Sequence, residues 1–110
     1  MRFVAAVALR RSGYHVVEAS TAAEALHLWE ERRAAITLLL TDLVMPGGIS
    51  GEKLADELCD RQPALRVIYT SGYNGAFADR QRFKPGTNFL PKPYLVEDLL
   101  AIVRRRLDER

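Results

Sequence analysis

Three residues in this chain carry chemistry at regular places, each at the end of a short apolar run. Ile36-Thr37-Leu38-Leu39-Leu40-Thr41 leads into Asp42, Val67-Ile68-Tyr69 into Thr70, and Asn88-Phe89-Leu90-Pro91 into Lys92. A carboxylate, a hydroxyl and an ammonium brought to one edge would suit phosphoryl chemistry. The carboxylate can act as a nucleophile and become an acyl phosphate. Lysine is a compact positive charge suited to phosphate oxygens, and a threonine hydroxyl can donate to one of them. Pro93, directly after Lys92, is a candidate for a cis bond that would aim the lysine. Singly, each residue has a plainer reading. An aspartate after a strand is usually a turn or capping residue, the threonine a strand-end residue, the lysine a solvated surface charge. The coincidence at three successive runs favours the joint reading.

For these residues to meet, the runs must be neighbouring parallel strands, and the intervening sequence supports that. Positions 3, 4, 7 and 8 make an apolar helical face, ended by Arg10, Arg11 and the turn residues Ser12-Gly13. Tyr14 to Ala19 reads as a strand. Thr21 and Glu24 form a capping box, and Ala22, Ala25, Leu26 and Trp29 then mark a helix to about Arg33. Ile36 to Thr41 is apolar enough to be a parallel strand covered on both faces. Ser50 can cap a helix with apolar positions 54, 55, 58 and 59, stopped by Pro63. Val67-Ile68-Tyr69 is the next strand. Residues 76 to 83 suggest a short, weak helix broken at Pro85-Gly86, and Asn88-Phe89-Leu90 a short strand. A last helix carries Val96, Leu99, Leu100, Val103 and Leu107 on one face. Leu95 stands where a capping side chain would be expected. The order is α-β-α-β-α-β-α-β-α. Such alternation with short connections implies an α/β fold, a doubly wound parallel sheet with helices on both faces. Ligands bind such sheets at the carboxyl ends of the strands.

Composition narrows the function. At 110 residues the chain is one domain, 48% hydrophobic and 27% charged, which argues against disorder. Its net charge of +2 is too small to make nucleic acid a main partner. The Arg104-Arg105-Arg106 cluster reads as favourable charge near a helix C-terminus. No apolar run is long enough for a membrane span, and the start lacks a signal peptide's layout. The single cysteine, Cys59, reads as a small core residue, and with that start the expected location is cytoplasmic.

Over nearly its whole length the chain resembles the receiver domain of two-component signalling, the flavodoxin-like (CheY-like) response-regulator fold. The resemblance rests on Leu39-Leu40-Thr41-Asp42-Leu43-Val44-Met45-Pro46, Gly51, Tyr69-Thr70-Ser71-Gly72 and Phe89-Leu90-Pro91-Lys92-Pro93, in that order and spacing. Met45-Pro46-Gly47-Gly48-Ile49-Ser50-Gly51 and Thr70-Ser71-Gly72-Tyr73 look most like receivers attached to hybrid sensor histidine kinases. The resemblance implies that Asp42 is the phosphoacceptor and Thr70 the switch hydroxyl. It makes Phe89 the aromatic switch that rotates inward as Thr70 moves, Lys92 the phosphate contact, and the backbone carbonyl of Val44 a magnesium ligand beside Asp42. The implied donor is a histidine kinase or phosphotransfer protein. The implied role is that of a phosphoacceptor domain in a phosphorelay, not an enzyme.

One departure from the family's pattern is large. Receivers open with a central strand ending in two or more acidic residues that help hold magnesium. Here Met1 falls within what matches the first helix, and Glu18 is the only acidic residue before Glu24. The expectation is a receiver incomplete at its N-terminus, with about four strands and five helices over residues 1–110. With Asp42 and one carbonyl alone, the Mg2+ expected from the family would bind weakly or not at all. Three explanations stay open. The natural protein starts upstream, which Met1's position favours. A neighbouring chain fills the gap, giving a homodimer or strand-swapped oligomer. Or the chain is a degenerate receiver acting as a phosphorylation-independent interaction module. Two enzyme-like readings fare worse. A flavin or nucleotide binder needs a phosphate loop, and Pro46-Gly47-Gly48 follows an aspartate that would repel the phosphate. A haloacid-dehalogenase-like hydrolase wants a second aspartate where Val44 stands. His15 and His27 lack the partner groups of a phosphohistidine relay.

Overall fold

The computed structural model describes residues 2–32, 35–43, 50–71 and 87–108, with side chains from residue 5 onward. In chain order the elements are α1 (Arg2–Arg11), α2 (Ala22–Arg32), β1 (Leu38–Asp42), α3 (Gly51–Arg61), β2 (Arg66–Ser71), β3 (Phe89–Pro91) and α4 (Val96–Asp108). The three strands form one parallel sheet in the order β1-β2-β3. Alternation along the strands divides the core between its two faces. Ile68 and Leu90 pack with Ala5 and Leu9 of α1 and Leu99, Ile102 and Val103 of α4. Val67, Tyr69 and Phe89 pack with Leu43 and with Ala55 of α3. Beyond α3, Ala22 and Trp29 of α2 meet Leu54, Leu58 and Leu65. The helices thus lie on both faces, as a doubly wound sheet requires.

Local chemistry sets the helix ends. Thr21 Oγ1 accepts from the Glu24 N–H at 3.1 Å, as the capping box predicts. The reciprocal bond comes from the Ser20 N–H to the Glu24 carboxylate, one residue earlier than the motif implies. Ser50 has extended backbone, and its Oγ accepts from the Lys53 N–H at 3.1 Å to start α3. That helix ends at Arg61, just ahead of Pro63, and Leu54, Ala55 and Leu58 form its buried stripe with Cys59 partly buried. In α4 the buried stripe is Leu99, Ile102 and Val103. Ile102 belongs to it, whereas Val96 is 43% exposed at the uncapped end beside Leu95. Among the described α1 side chains Ala5, Ala6 and Leu9 are buried and Ala8 packs partly buried against the same core, whereas the predicted positions Phe3 and Val4 lie outside the described side chains.

The expected strand at Tyr14–Ala19 does not form, so the described residues contain three strands rather than four. A strand exists only if its N–H and C=O groups find a neighbour's ladder. The sheet ends at β1 on that side. The segment instead leaves the α1 terminus through a tight turn, with Gly13 at φ +96° and the Tyr14 N–H donating to the Leu9 carbonyl at 3.1 Å. A side chain takes up the role of a ladder partner: Arg10 donates to the Val16 carbonyl at 3.0 Å and pairs with Glu18 at 3.1 Å. Tyr14 and Val16 still pack against the α1–α4 core, so the two-residue alternation survives without the sheet. Of the five expected helices four are described. The one read at residues 76 to 83 lies outside the described residues.

Candidate phosphoryl-transfer site

The sheet register brings the predicted residues together. Asp42 is opposite Thr70 across the β1–β2 pair, and Thr70 is opposite Leu90 across β2–β3. Partners in a parallel pair share a face, so Asp42, Thr70 and Leu90 form one row at the carboxyl edge. Lys92 follows Leu90 by two residues, keeps the same parity, and stands just beyond the end of β3. Its Nζ lies 2.8 Å from Asp42 Oδ1. The lysine side chain is 24% exposed and the aspartate side chain 47% exposed, so the pair is open to solvent on one side. The Lys92 N–H donates to the Ser71 carbonyl at 2.9 Å, which ties the lysine's backbone to β2. The Lys92–Pro93 bond is cis. Pro91, with no N–H to give, sits on the outer strand of the described sheet, where the loss is tolerated.

Thr70 is buried, and its hydroxyl is turned away from Asp42, donating to the Leu90 carbonyl at 2.7 Å. Phe89 is 3% exposed and packs with Val67 and Tyr69 on the α3 side of the sheet. Its ring is therefore already buried while the Thr70 hydroxyl is still bonded to β3. Val44, expected to offer a carbonyl to a metal, lies outside the described residues.

The α3 terminus meets the site from the other face. An ideal Cβ on Gly51 would stand 1.8 Å from the Asp42 carbonyl oxygen, so no side chain fits there. Tyr94, which the sequence reading did not single out, lies near enough to the site for the Asp42 charge to act on its phenol. It packs partly buried against the α1–α4 core. Its phenol pKa is raised above 10.0, first by burial and then by the Asp42 charge. The signal in the sequence was slight: an aromatic two residues after a strand-end lysine, across a proline.

Magnesium takes about six oxygen ligands and is anchored by carboxylates. Among the described residues no three acidic, histidine or cysteine side chains come together to hold a metal ion, and the Asp42 carboxylate is already paired with Lys92. These residues by themselves do not fit that ion. No helix among the described residues is long and apolar enough to cross a membrane.

Known proteins share this fold. Residues 1–104 match the family model of the response regulator receiver domain. Over 104 residues the chain is 35% identical to the sensor kinase CckA of Brucella abortus (strain 2308), covering 94% of this chain but only 11% of that protein. It therefore spans a small part of that relative's length. The crystal structure of the receiver domain from hybrid histidine kinase CckA superposes with TM-score 0.79 at 36% identity, covering 97% of this chain and 89% of that one. The receiver domain of NtrX from Brucella abortus superposes with TM-score 0.81 at 27% identity, with the same coverage. Fold, register and these likenesses converge: the chain belongs to the response regulator receiver domain family, the receivers of two-component signalling.

Proposed function

We propose that this receiver accepts a phosphoryl group on Asp42 from a histidine kinase or phosphotransfer protein and relays it as a change of protein-binding surface. The observation that carries the reading is the 2.8 Å contact between Asp42 and Lys92, in a row with Thr70 at the carboxyl edge. An Asp42 carboxylate oxygen attacks the phosphorus of the donor's phosphohistidine. The P–N bond breaks, its electron pair returns to the imidazole, and an acyl phosphate forms on Asp42. The new group brings roughly −1.5 to −2 charges and strong acceptor oxygens. Lys92, already in reach, exchanges the carboxylate for a phosphoryl oxygen. Thr70 has to give up the Leu90 carbonyl to donate to another, so a local charge event becomes a change at β2 and β3. Phe89 is the family's aromatic switch. In this chain its ring starts from a buried position, so its part is to repack against Val67 and Tyr69.

The second reading is a phosphorylation-independent interaction module. It is favoured by the absence, among the described residues, of any group of three acidic, histidine or cysteine side chains that could hold a metal ion. Intact mass after incubation with acetyl phosphate, over a magnesium titration, separates the two. The gain of one phosphoryl group, lost in Asp42→Asn, is the expected result, with weak magnesium dependence. No gain at any magnesium concentration, with unchanged partner binding by Asp42→Asn, would support the interaction module instead.

A further inference from the structure

We infer that the first turn of α3 and Thr41 together form a positioning device for the Asp42 carboxylate. The inference rests on Asp42 being the phosphoacceptor. The peptide unit after Asp42 is held at both ends. Its N–H, on Leu43, donates to the Thr70 carbonyl at 2.9 Å. Its carbonyl, on Asp42, accepts from Thr41 Oγ1 at 3.0 Å. The same carbonyl faces Gly51, where an ideal Cβ would stand 1.8 Å from the oxygen, 2.8 Å from the carbonyl carbon and 2.8 Å from Thr41 Oγ1. The Gly51 N–H in turn donates to the Leu43 carbonyl at 3.0 Å, locking the helix start to the residue after the phosphoacceptor.

This matters because burial does not aim the carboxylate, which is 47% exposed on its side chain. A half-solvated side chain is directed by its backbone and one partner. Holding the following peptide plane fixes the Asp42 Cα–Cβ direction, and Lys92 fixes the far end. Thr41 is buried on the opposite face of β1, toward α3, so the device reaches Asp42 through its main chain and leaves the open side free for a donor. Real Cβ contacts stay beyond 3.0 Å, so a methyl group on Gly51 has to push the carbonyl or the helix away by more than an ångström. A shift of about 1 Å at a reacting group can cost on the order of 10²-fold in rate.

The test uses acetyl phosphate, in which Asp42 attacks phosphorus and the P–O bond breaks to release acetate. Gly51→Ala is expected to lower the maximal rate of phosphorylation about 100-fold. Thr41→Val is expected to lower it about tenfold, the scale of one lost hydrogen bond. In both, the half-saturating donor concentration stays at the wild-type value, and Thr41→Ser restores the rate. A thermal melt of each variant confirms folding, and Thr41→Val carries the test if Gly51→Ala does not fold. A folded Thr41→Val with the wild-type rate, or with only the half-saturating concentration changed, overturns the inference. If the wild type itself takes no phosphoryl group, the phosphoacceptor reading fails. Amide spectra then decide the positioning claim alone: Leu43 amide and Lys92 side-chain resonances that do not move in Thr41→Val overturn it.

Discussion

Replacing Lys92 by methionine separates what the Asp42 pair does for stability from what it does for chemistry. Methionine keeps a long stem and removes the charge. At the observed 2.8 Å, the attraction of two unit charges in water is about 1.5 kcal/mol. Both side chains are partly wet, at 24% and 47% exposure, and ordering them opposes the gain. Exposed pairs of this kind contribute about 0–1 kcal/mol net. Urea unfolding should therefore show a loss below about 1 kcal/mol, shrinking further at high salt. The chemical effect should be larger. In the transition state negative charge is carried by the phosphoryl oxygens, to which Lys92 turns from the neighbouring carboxylate, and removing one such charge-stabilising group costs roughly 10²-fold in rate. The assay is the initial rate of mass gain with acetyl phosphate beside urea curves at two salt concentrations. A destabilisation above about 2 kcal/mol would show that the pair acts as a buried structural bridge, against its partial exposure in the structure. A wild-type phosphorylation rate would show that Lys92 does not reach the phosphoryl group.

Two further outcomes follow from the same geometry. Thr70→Val keeps the shape of a buried residue but removes the donor to the Leu90 carbonyl, so it should cost about 1 kcal/mol in urea unfolding. It should still gain phosphoryl mass while losing the phosphorylation-induced changes in the amide spectrum of β3, and retention of those changes would remove Thr70 from the switch. The raised Tyr94 pKa makes a pH-dependent contribution with a fixed sign: full below pH 10.0, the unfolded value, and lost as pH rises through the folded one. The wild type should therefore lose stability above pH 10 faster than Tyr94→Phe. Phenolate absorbance should show the Tyr94 pKa falling in Asp42→Asn yet staying above 10.0, because burial is the larger cause. An unchanged value in Asp42→Asn would mean the Asp42 charge does not reach the phenol.

The elements that form were legible where local sequence and sheet pairing agreed. Ser50 before a clean apolar stripe gave α3, and Pro63 ended it. The run up to Asp42 gave β1, with its boundary shifted by about two residues because pairing with Arg66 to Thr70, not hydropathy, sets where a ladder starts. Tyr14–Ala19 shows the limit of local pattern. Its alternation and β-branched residues are those of a strand, yet strand formation is a property of two segments and not one. With no ladder beside it, the backbone turns to Arg10, whose guanidinium takes the Val16 carbonyl. Nothing in a single-sequence pattern reports that exchange.

The site divides in the same way. That Asp42, Thr70 and Lys92 would meet followed from strand ends alone, because parallel register converts equal positions into one row. Which way the Thr70 hydroxyl points did not follow. Both Asp42 and the Leu90 carbonyl lie one strand away from it, on opposite sides. The choice falls to the carbonyl because it is a neutral acceptor inside the sheet, whereas the Asp42 carboxylate is already compensated by Lys92 and partly hydrated. A threonine between two acceptors stays with the drier one until the other gains charge. A phosphoryl group on Asp42 is such a gain. The same reasoning accounts for Gly51, visible in the sequence only as one residue of a motif. Its missing side chain is what lets the α3 terminus approach the Asp42 carbonyl, so that the Asp42 backbone is held from behind while its carboxylate stays open to solvent.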